Sequence, residues 1–193
     1  GYARQDRKTG PRTPISAKLL AELYEAAGID RLLSLELHNS AIQGFFNVPV
    51  DHLFANSLFY EYFSKLPIKD LVIISPDSGG VERSRALAKK FDCGLAIIDK
   101  RRDKPNDSAV MNIIGSVKGK NCLIVDDIVD TGGSLVRACD ALMQEGALEV
   151  RAAISHAVLS GPALKRIQES SLVQVLVTDS IPLSKQAQCT DKI

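Results

Sequence analysis

The stretch Asn121-Cys122-Leu123-Ile124-Val125-Asp126-Asp127-Ile128-Val129-Asp130-Thr131-Gly132-Gly133-Ser134 decides how the chain is read. Leu123 to Val125 is a short apolar run with the character of a buried strand, and Leu135 to Glu145 carries apolar residues at helical spacing. The turn between them therefore joins the carboxyl end of a strand to the amino end of a helix. Its two glycines allow successive N–H groups to converge, Thr131 and Ser134 add hydroxyls, and the helix terminus adds positive potential. Such a turn is a seat for a phosphate monoester. Asp126 and Asp127 would repel an anion, so they fit a partner with hydroxyl groups, or a divalent cation. A sugar phosphate answers both halves of that demand; a strand ending in solvated acids before a capped helix is the plainer alternative.

The same arrangement recurs upstream. Leu71 to Ser75 reads as a buried strand, Pro76-Asp77-Ser78-Gly79-Gly80 as a turn, and Val81 to Phe91 as a helix. At this second turn the glycines admit two readings, backbone freedom or amides offered to an anion. Leu95 to Ile98 is the next strand, followed by the polar, basic loop Asp99 to Ser108, and Val110 to Val117 reads as a strand. Further strands are expected at Glu149 to Ser155 and Val173 to Thr178, with a helix from Leu164 to Glu169. His156, at a strand end, reads as structural. Repeated strand–helix units call for an α/β fold, a mostly parallel twisted sheet flanked by helices.

Before residue 56 the pattern is sparser. Tyr2 to Lys8 has no period and by itself is a solvated basic loop. Ser16 is expected to cap a helix over Ala17 to Ala27 with Leu19, Leu20, Leu23 and Ala27 as its apolar positions, and Gly28 stops it. Arg31 to Leu37 reads as a strand running into Glu36-Leu37-His38, where strand alternation would put Glu36 and His38 on one face. A helix or turn follows at Ala41 to Phe46, and a helix from Asn56 to Leu66 is expected to bury Leu58, Phe59, Tyr62 and Phe63.

Of the 193 residues, 45% are hydrophobic and 24% charged, an ordinary globular composition that excludes a disordered or fibrous chain. Twenty-four Lys and Arg against 23 Asp and Glu leave a formal charge of +1. That balance gives no reason to expect nucleic acid or a membrane surface as partner. Cys93, Cys122, Cys139 and Cys189 form no C-x-x-C pair and read as reduced thiols, which with the absence of a long apolar run points to a cytoplasmic chain.

Asp126 to Ser134 resembles the phosphoribosyl diphosphate motif of type I phosphoribosyltransferase folds, and the chain from Tyr2 to Ile193 is similar to the ribose-phosphate diphosphokinases, also called phosphoribosyl diphosphate synthetases. Asn39 to Asp51 resembles that family's divalent-cation signature, with Glu36 and Asn47 standing where aspartate is usual. The resemblance implies a phosphoribosyltransferase-like fold with one nearly complete domain, 56–193, and part of a similar one, 1–55, in a chain truncated at both ends. It implies transfer of the diphosphoryl group of ATP to the anomeric hydroxyl of ribose 5-phosphate, giving 5-phosphoribosyl 1-diphosphate and AMP for nucleotide biosynthesis. Ribose 5-phosphate would lie on Asp126, Asp127, Asp130, Thr131, Gly132, Gly133 and Ser134, and ATP on Arg4, Gln5 and Asp6. The diphosphate would lie on Asp77, Ser78, Gly79 and Gly80, and Mg²⁺ near His38 and Asp77. Lys100 and Arg102 would be catalytic, on a loop that closes over the reacting phosphates. The family also implies self-association into a homo-oligomer such as a hexamer. A phosphoribosyltransferase would share the central motif without the Arg4-Gln5-Asp6 and Gln43 to Phe46 stretches. A non-catalytic regulatory paralogue would keep the fold while losing the Lys100/Arg102 loop or the paired acids, all of which remain.

Overall fold

The computed structural model describes residues 2–8, 10–101 and 110–193, with backbone alone for residues 100, 101 and 110. Two compact units emerge, Gly1–Ala55 and Asn56–Ile193.

In the first unit, a 3-10 turn at Tyr2–Arg4 precedes helix α1, Ser16–Ala26, and strands β1, Leu32–Leu35, and β2, Val50–Leu53, pair in parallel across a 3-10 segment at Ser40–Phe45. Ser16 lies inside α1 rather than capping it; Ile15 occupies the cap position, and the Ser16 hydroxyl donates to Gln5 Oε1 at 2.5 Å. The helix stops where Gly28 takes a φ of +89°, a conformation that costs glycine little. Its buried contacts are made by Ala17 and Ala21, while Leu19 and Leu23 are more than half exposed. Small side chains win that position because α1 packs against both 3-10 segments. β1 is also shorter than its apolar pattern suggested. Glu36 adopts a φ of +48°, which ends the strand, so strand alternation does not relate Glu36 to His38.

The second unit is built on a six-stranded sheet in the order β5-β4-β3-β6-β7-β8. Its strands are β3 Leu71–Ser75, β4 Gly94–Arg101, β5 Val110–Ile114, β6 Asn121–Val129, β7 Glu149–Ala157 and β8 Leu172–Val177. All neighbours pair in parallel except β4 with β5. Between them run α2 Asn56–Phe63, α3 Val81–Phe91, α4 Gly133–Gln144, α5 Ala163–Glu169 and the short α6 Lys185–Gln188. Val72, Ile74, Cys122, Ile124, Ala152 and Ile154 form one core with Leu135, Ala138, Cys139 and Leu142 of α4. The alternate positions Ile73, Leu123, Val125 and Ala153 are equally buried and project to the other face. A parallel sheet covered on both faces explains why these strands read as continuous apolar runs.

Several expected boundaries move. α2 ends at Phe63 and buries Phe59 and Phe63, whereas Leu58 is 54% exposed and the Tyr62 hydroxyl accepts from Gln174 Nε2. β4 continues through Asp99, Lys100 and Arg101, because antiparallel pairing with β5 satisfies their backbone groups, so Lys100 belongs to a strand. β6 likewise runs on through Asp126 and Asp127 to Val129, held by β7, and the paired acids are strand residues. β5 ends at Ile114 before Gly115, which at a φ of +122° packs against Ala96 so closely that a Cβ would sit 2.8 Å from the alanine methyl. The four cysteines are free thiols, two of them buried. No helix among the described residues is long and apolar enough to cross a membrane.

Candidate functional site

The chain runs from β3 outward to β4, then returns to the far side of β3 to lay down β6. The strand order therefore reverses between β3 and β6, and in open α/β sheets ligands settle at that switch point, beyond the carboxyl ends of the strands. Both glycine turns, 76–80 and 131–134, leave from those two strand ends.

Asp126 and Asp127 sit on β6 between them. The Asp127 N–H donates to Asp126 Oδ1 at 2.9 Å. From the first turn of α3, the Arg83 guanidinium reaches both acids, with Nη1 3.5 Å from Asp127 Oδ1 and 3.8 Å from Asp126 Oδ1. Arg83 and Asp127 are nearly buried, with side chains 10% and 7% exposed. Burial, reinforced by the neighbouring carboxylate of Asp127 and by Asp77, pushes the Asp126 carboxyl up to about 8. Ionisation of Asp126 beside Asp127 is therefore disfavoured even with Arg83 at hand. Sequence reasoning missed Arg83, although two adjacent acids on a strand, one of them buried, need a cation from a neighbouring element.

The two turns differ. In the first, Asp77 Oδ1 accepts from the N–H groups of Gly79 and Gly80 at 2.9 and 3.0 Å, and the Ser75 hydroxyl donates to the Asp77 carbonyl at 2.7 Å. Neither glycine has positive φ. Space decides there, since a Cβ on Gly80 would lie 3.1 Å from Ser75 Oγ. Ser78 is exposed on this turn. In the second, Gly132 takes a φ of +73° and, as the residue that caps α4, has no side chain with which to do so. The Ser134 hydroxyl accepts a long contact from Arg137 Nη2, 3.5 Å, and Thr131 is exposed. Asp130 is drawn away from the turn by Ser160, whose hydroxyl donates to its Oδ1 at 2.5 Å. One turn is closed by its own carboxylate; at the other the corresponding carboxylate binds Ser160.

Of the residues expected to be catalytic, Lys100 has its backbone in β4 beside Met111, and Arg102 lies outside the described residues. His156, on β7, contacts the Ser180 hydroxyl through Nδ1 at 2.9 Å, in keeping with a structural histidine.

In the first unit the nucleotide and cation stretches are joined. Gln5 accepts from Ser16 and, through its carbonyl, from the Ala17 N–H at the start of α1. Asn39 Nδ2 donates to Asp6 Oδ2 at 2.7 Å, so Arg4-Gln5-Asp6 and the segment bearing the exposed His38 share one surface. Glu36, 3% exposed, accepts from the Ala55 N–H at 2.9 Å and is structural, as is Asn47, whose backbone and side-chain N–H groups both donate to Glu25. His52 was not singled out by sequence; it accepts the Leu37 N–H at 2.9 Å and so shapes the turn next to His38. Among the described residues no three His, Cys, Asp or Glu side chains converge to hold a metal by themselves.

The phosphoribosyl transferase domain model matches residues 52–183, and the model of the N-terminal domain of ribose phosphate pyrophosphokinase matches 1–28. A ribose-phosphate pyrophosphokinase of Rhizobium meliloti is 53% identical over all of this chain and 63% of its own length. Another from Agrobacterium fabrum is 54% identical over 94% of this chain and 59% of its own. Among solved structures, the phosphoribosylpyrophosphate synthetase of Mycobacterium smegmatis superposes with a TM-score of 0.90 at 41% identity, covering 96% of this chain and 61% of that one. The chain spans about three fifths of the length of the curated relatives it matches.

Proposed function

The chain belongs to the phosphoribosyl transferase domain family, on its ribose-phosphate pyrophosphokinase branch, and from that premise we propose that it serves diphosphoryl transfer from ATP to ribose 5-phosphate. The observation that carries this reading is the glycine turn 131–134, with Gly132 at positive φ, beside the buried Asp127 and the partly exposed Asp126 at the sheet's switch point. The 5-phosphate accepts from the amides of that turn and from the hydroxyls of Thr131 and Ser134. Asp126 and Asp127 accept from ribose hydroxyls, and Arg83 keeps the two acids together in the absence of sugar.

In the reaction the anomeric oxygen forms a bond to the β-phosphorus of ATP, the bond from that phosphorus to the α-phosphate oxygen breaks, AMP departs, and the hydroxyl proton is released. Alignment and charge neutralisation supply most of the acceleration in such transfers. Lys100 and Arg102 are assigned to the charge on the transferring oxygens, where losing one such contact typically costs about 3 kcal/mol of barrier. Arg4, Gln5 and Asp6 are assigned to the nucleotide.

A divalent cation fits the donor set. Burial first, and then the carboxylates of Asp127 and Asp77, raise the Asp126 carboxyl. Mg²⁺ is commonly held by one or two carboxylates together with substrate phosphates rather than by a full protein cage. Asp77 in the second unit and His38 in the first are each assigned to a divalent cation, which would neutralise diphosphate charge. We further assign the protein to the cytoplasm and to a homo-oligomer, on the strength of the family alone.

Calorimetric titration of the chain with ribose 5-phosphate, with ribose and free phosphate as controls, tests the site directly. Saturable binding that requires the intact ester, joined by sugar-dependent AMP release in ATP and Mg²⁺, is expected. A chain that takes up no ribose 5-phosphate refutes the assignment of the turn.

A further inference from the structure

From Val129 to Gly133, every residue of the open turn meets the segment 158–166. The Val129 carbonyl accepts from the N–H groups of Val158 and Leu159 at 3.0 and 3.1 Å, and the Asp130 carbonyl accepts from the Ser160 N–H at 2.9 Å. Arg166 Nη1 donates to the Thr131 carbonyl at 3.0 Å. A Cβ on Gly132 would lie 3.4 Å from the backbone of Ala163, and one on Gly133 would lie 3.2 Å from Arg166 Nη1. The Ser160 hydroxyl, finally, binds the Asp130 carboxylate.

These contacts have a directional consequence. In a trans peptide the C=O and the next N–H point in opposite directions. Holding the carbonyls of Val129, Asp130 and Thr131 against 158–166 therefore turns the N–H groups of Asp130, Thr131 and Gly132 the other way. The Asp130 carboxylate is the natural competitor for such amides, because Asp77, at the same place in the matching Asp-Ser-Gly-Gly turn, uses its carboxylate to occupy the N–H groups of Gly79 and Gly80. Ser160 takes that competitor out of play.

We propose that Ser160 and Arg166 are positioning residues of the phosphate seat: Arg166 sets the Thr131–Gly132 peptide plane, and Ser160 keeps Asp130 from capping the turn. This rests on the reading that the turn receives the 5-phosphate of ribose 5-phosphate. Asp130 is accordingly a brace whose carboxylate faces Ser160.

Two readouts on the 193-residue chain separate this inference from the reading beneath it. The amide NMR resonances of residues 131–134 report the turn without ligand; ribose 5-phosphate titration needs the seat. Arg166→Met should shift those resonances and weaken ribose 5-phosphate about tenfold, the scale of one lost hydrogen bond. Arg166→Lys, which keeps a donor and the charge, should recover most of both, and Lys165→Ala on the same helix should change neither. Ser160→Ala should weaken ribose 5-phosphate, and Ser160→Ala/Asp130→Ala should restore part of the affinity. ATP affinity should be unchanged throughout. Wild-type amide resonances and affinity in both Arg166→Met and Ser160→Ala overturn the proposal while leaving the site intact. Absence of ribose 5-phosphate binding by the unsubstituted chain overturns the ligand reading, and the assignment to that ligand falls with it.

Discussion

Asp126→Asn should stabilise the chain, and the gain should grow with pH. Burial next to Asp127 and Asp77 raises the Asp126 carboxyl from its ordinary 3.8 to about 8, whereas in the unfolded chain it titrates near the ordinary value. Between those limits the native state holds a proton that the unfolded state has released. Stability is therefore full below about pH 4 and falls as pH rises toward 8. At roughly 1.4 kcal/mol per pKa unit, the whole displacement sets an upper bound of about 5–6 kcal/mol. Arg83 stands 3.8 Å away and 28% of the Asp126 side chain reaches solvent. Screening of that kind brings the expected effect down to about 2–3 kcal/mol. Asparagine removes the ionisation yet keeps Oδ1 as acceptor for the Asp127 N–H. In urea unfolding, the variant and the parent should agree within about 0.5 kcal/mol at pH 4.5 and part by about 2–3 kcal/mol at pH 8.5. A gap that is the same at every pH refutes the reasoning, for Asp126 would then be ionised in the native protein throughout, with Arg83 as sufficient partner.

Two further substitutions probe the frame of the site. Gly132→Ala places a Cβ at a φ of +73° and 3.4 Å from the Ala163 backbone, so it should cost about 1–2 kcal/mol in urea unfolding and weaken ribose 5-phosphate along with it; unchanged stability would show that the turn relaxes freely. Glu36→Ala strands the buried Ala55 N–H, at a cost of about 1–3 kcal/mol, while Glu36→Gln, which keeps an acceptor, should recover most of it; equal losses in the two would place the effect in charge rather than in the hydrogen bond.

The strands and helices of the second unit were legible because a sheet buried on both faces writes itself as apolar runs. β3 and α3 begin and end where their letters change. Legibility failed wherever pairing extended a strand past its apolar run. Asp126 and Asp127 look like the start of a loop, but β7 offers backbone partners as far as Ala157, and an aspartate loses little by staying in the ladder if Arg83 meets its side chain. The same pairing rule carried Asp99 to Arg101 into β4. In the first unit the apolar period of α1 marked Leu19 and Leu23 as core, yet alanines make the buried contacts. Periodicity shows which residues share a face, and it does not show which face is covered.

The site repeats that lesson more sharply. Asp77-Ser78-Gly79-Gly80 and Asp130-Thr131-Gly132-Gly133 are almost the same words in the same place, each between a parallel strand and a helix, and their shared letters suggested a shared use. The first aspartate closes its own turn, and the second is held off its turn by a serine thirty residues downstream. Nothing in either tetrapeptide separates these outcomes, because the deciding groups, Ser160 and Arg166, arrive through the β7 to α5 connection. An anion at the first turn has to displace a carboxylate from the two glycine amides or share it through a cation, whereas an anion at the second meets amides already turned toward it. On the function proposed, the two turns would therefore suit different phosphates: a diphosphate accompanied by metal at 76–80, and a bare monoester at 131–134.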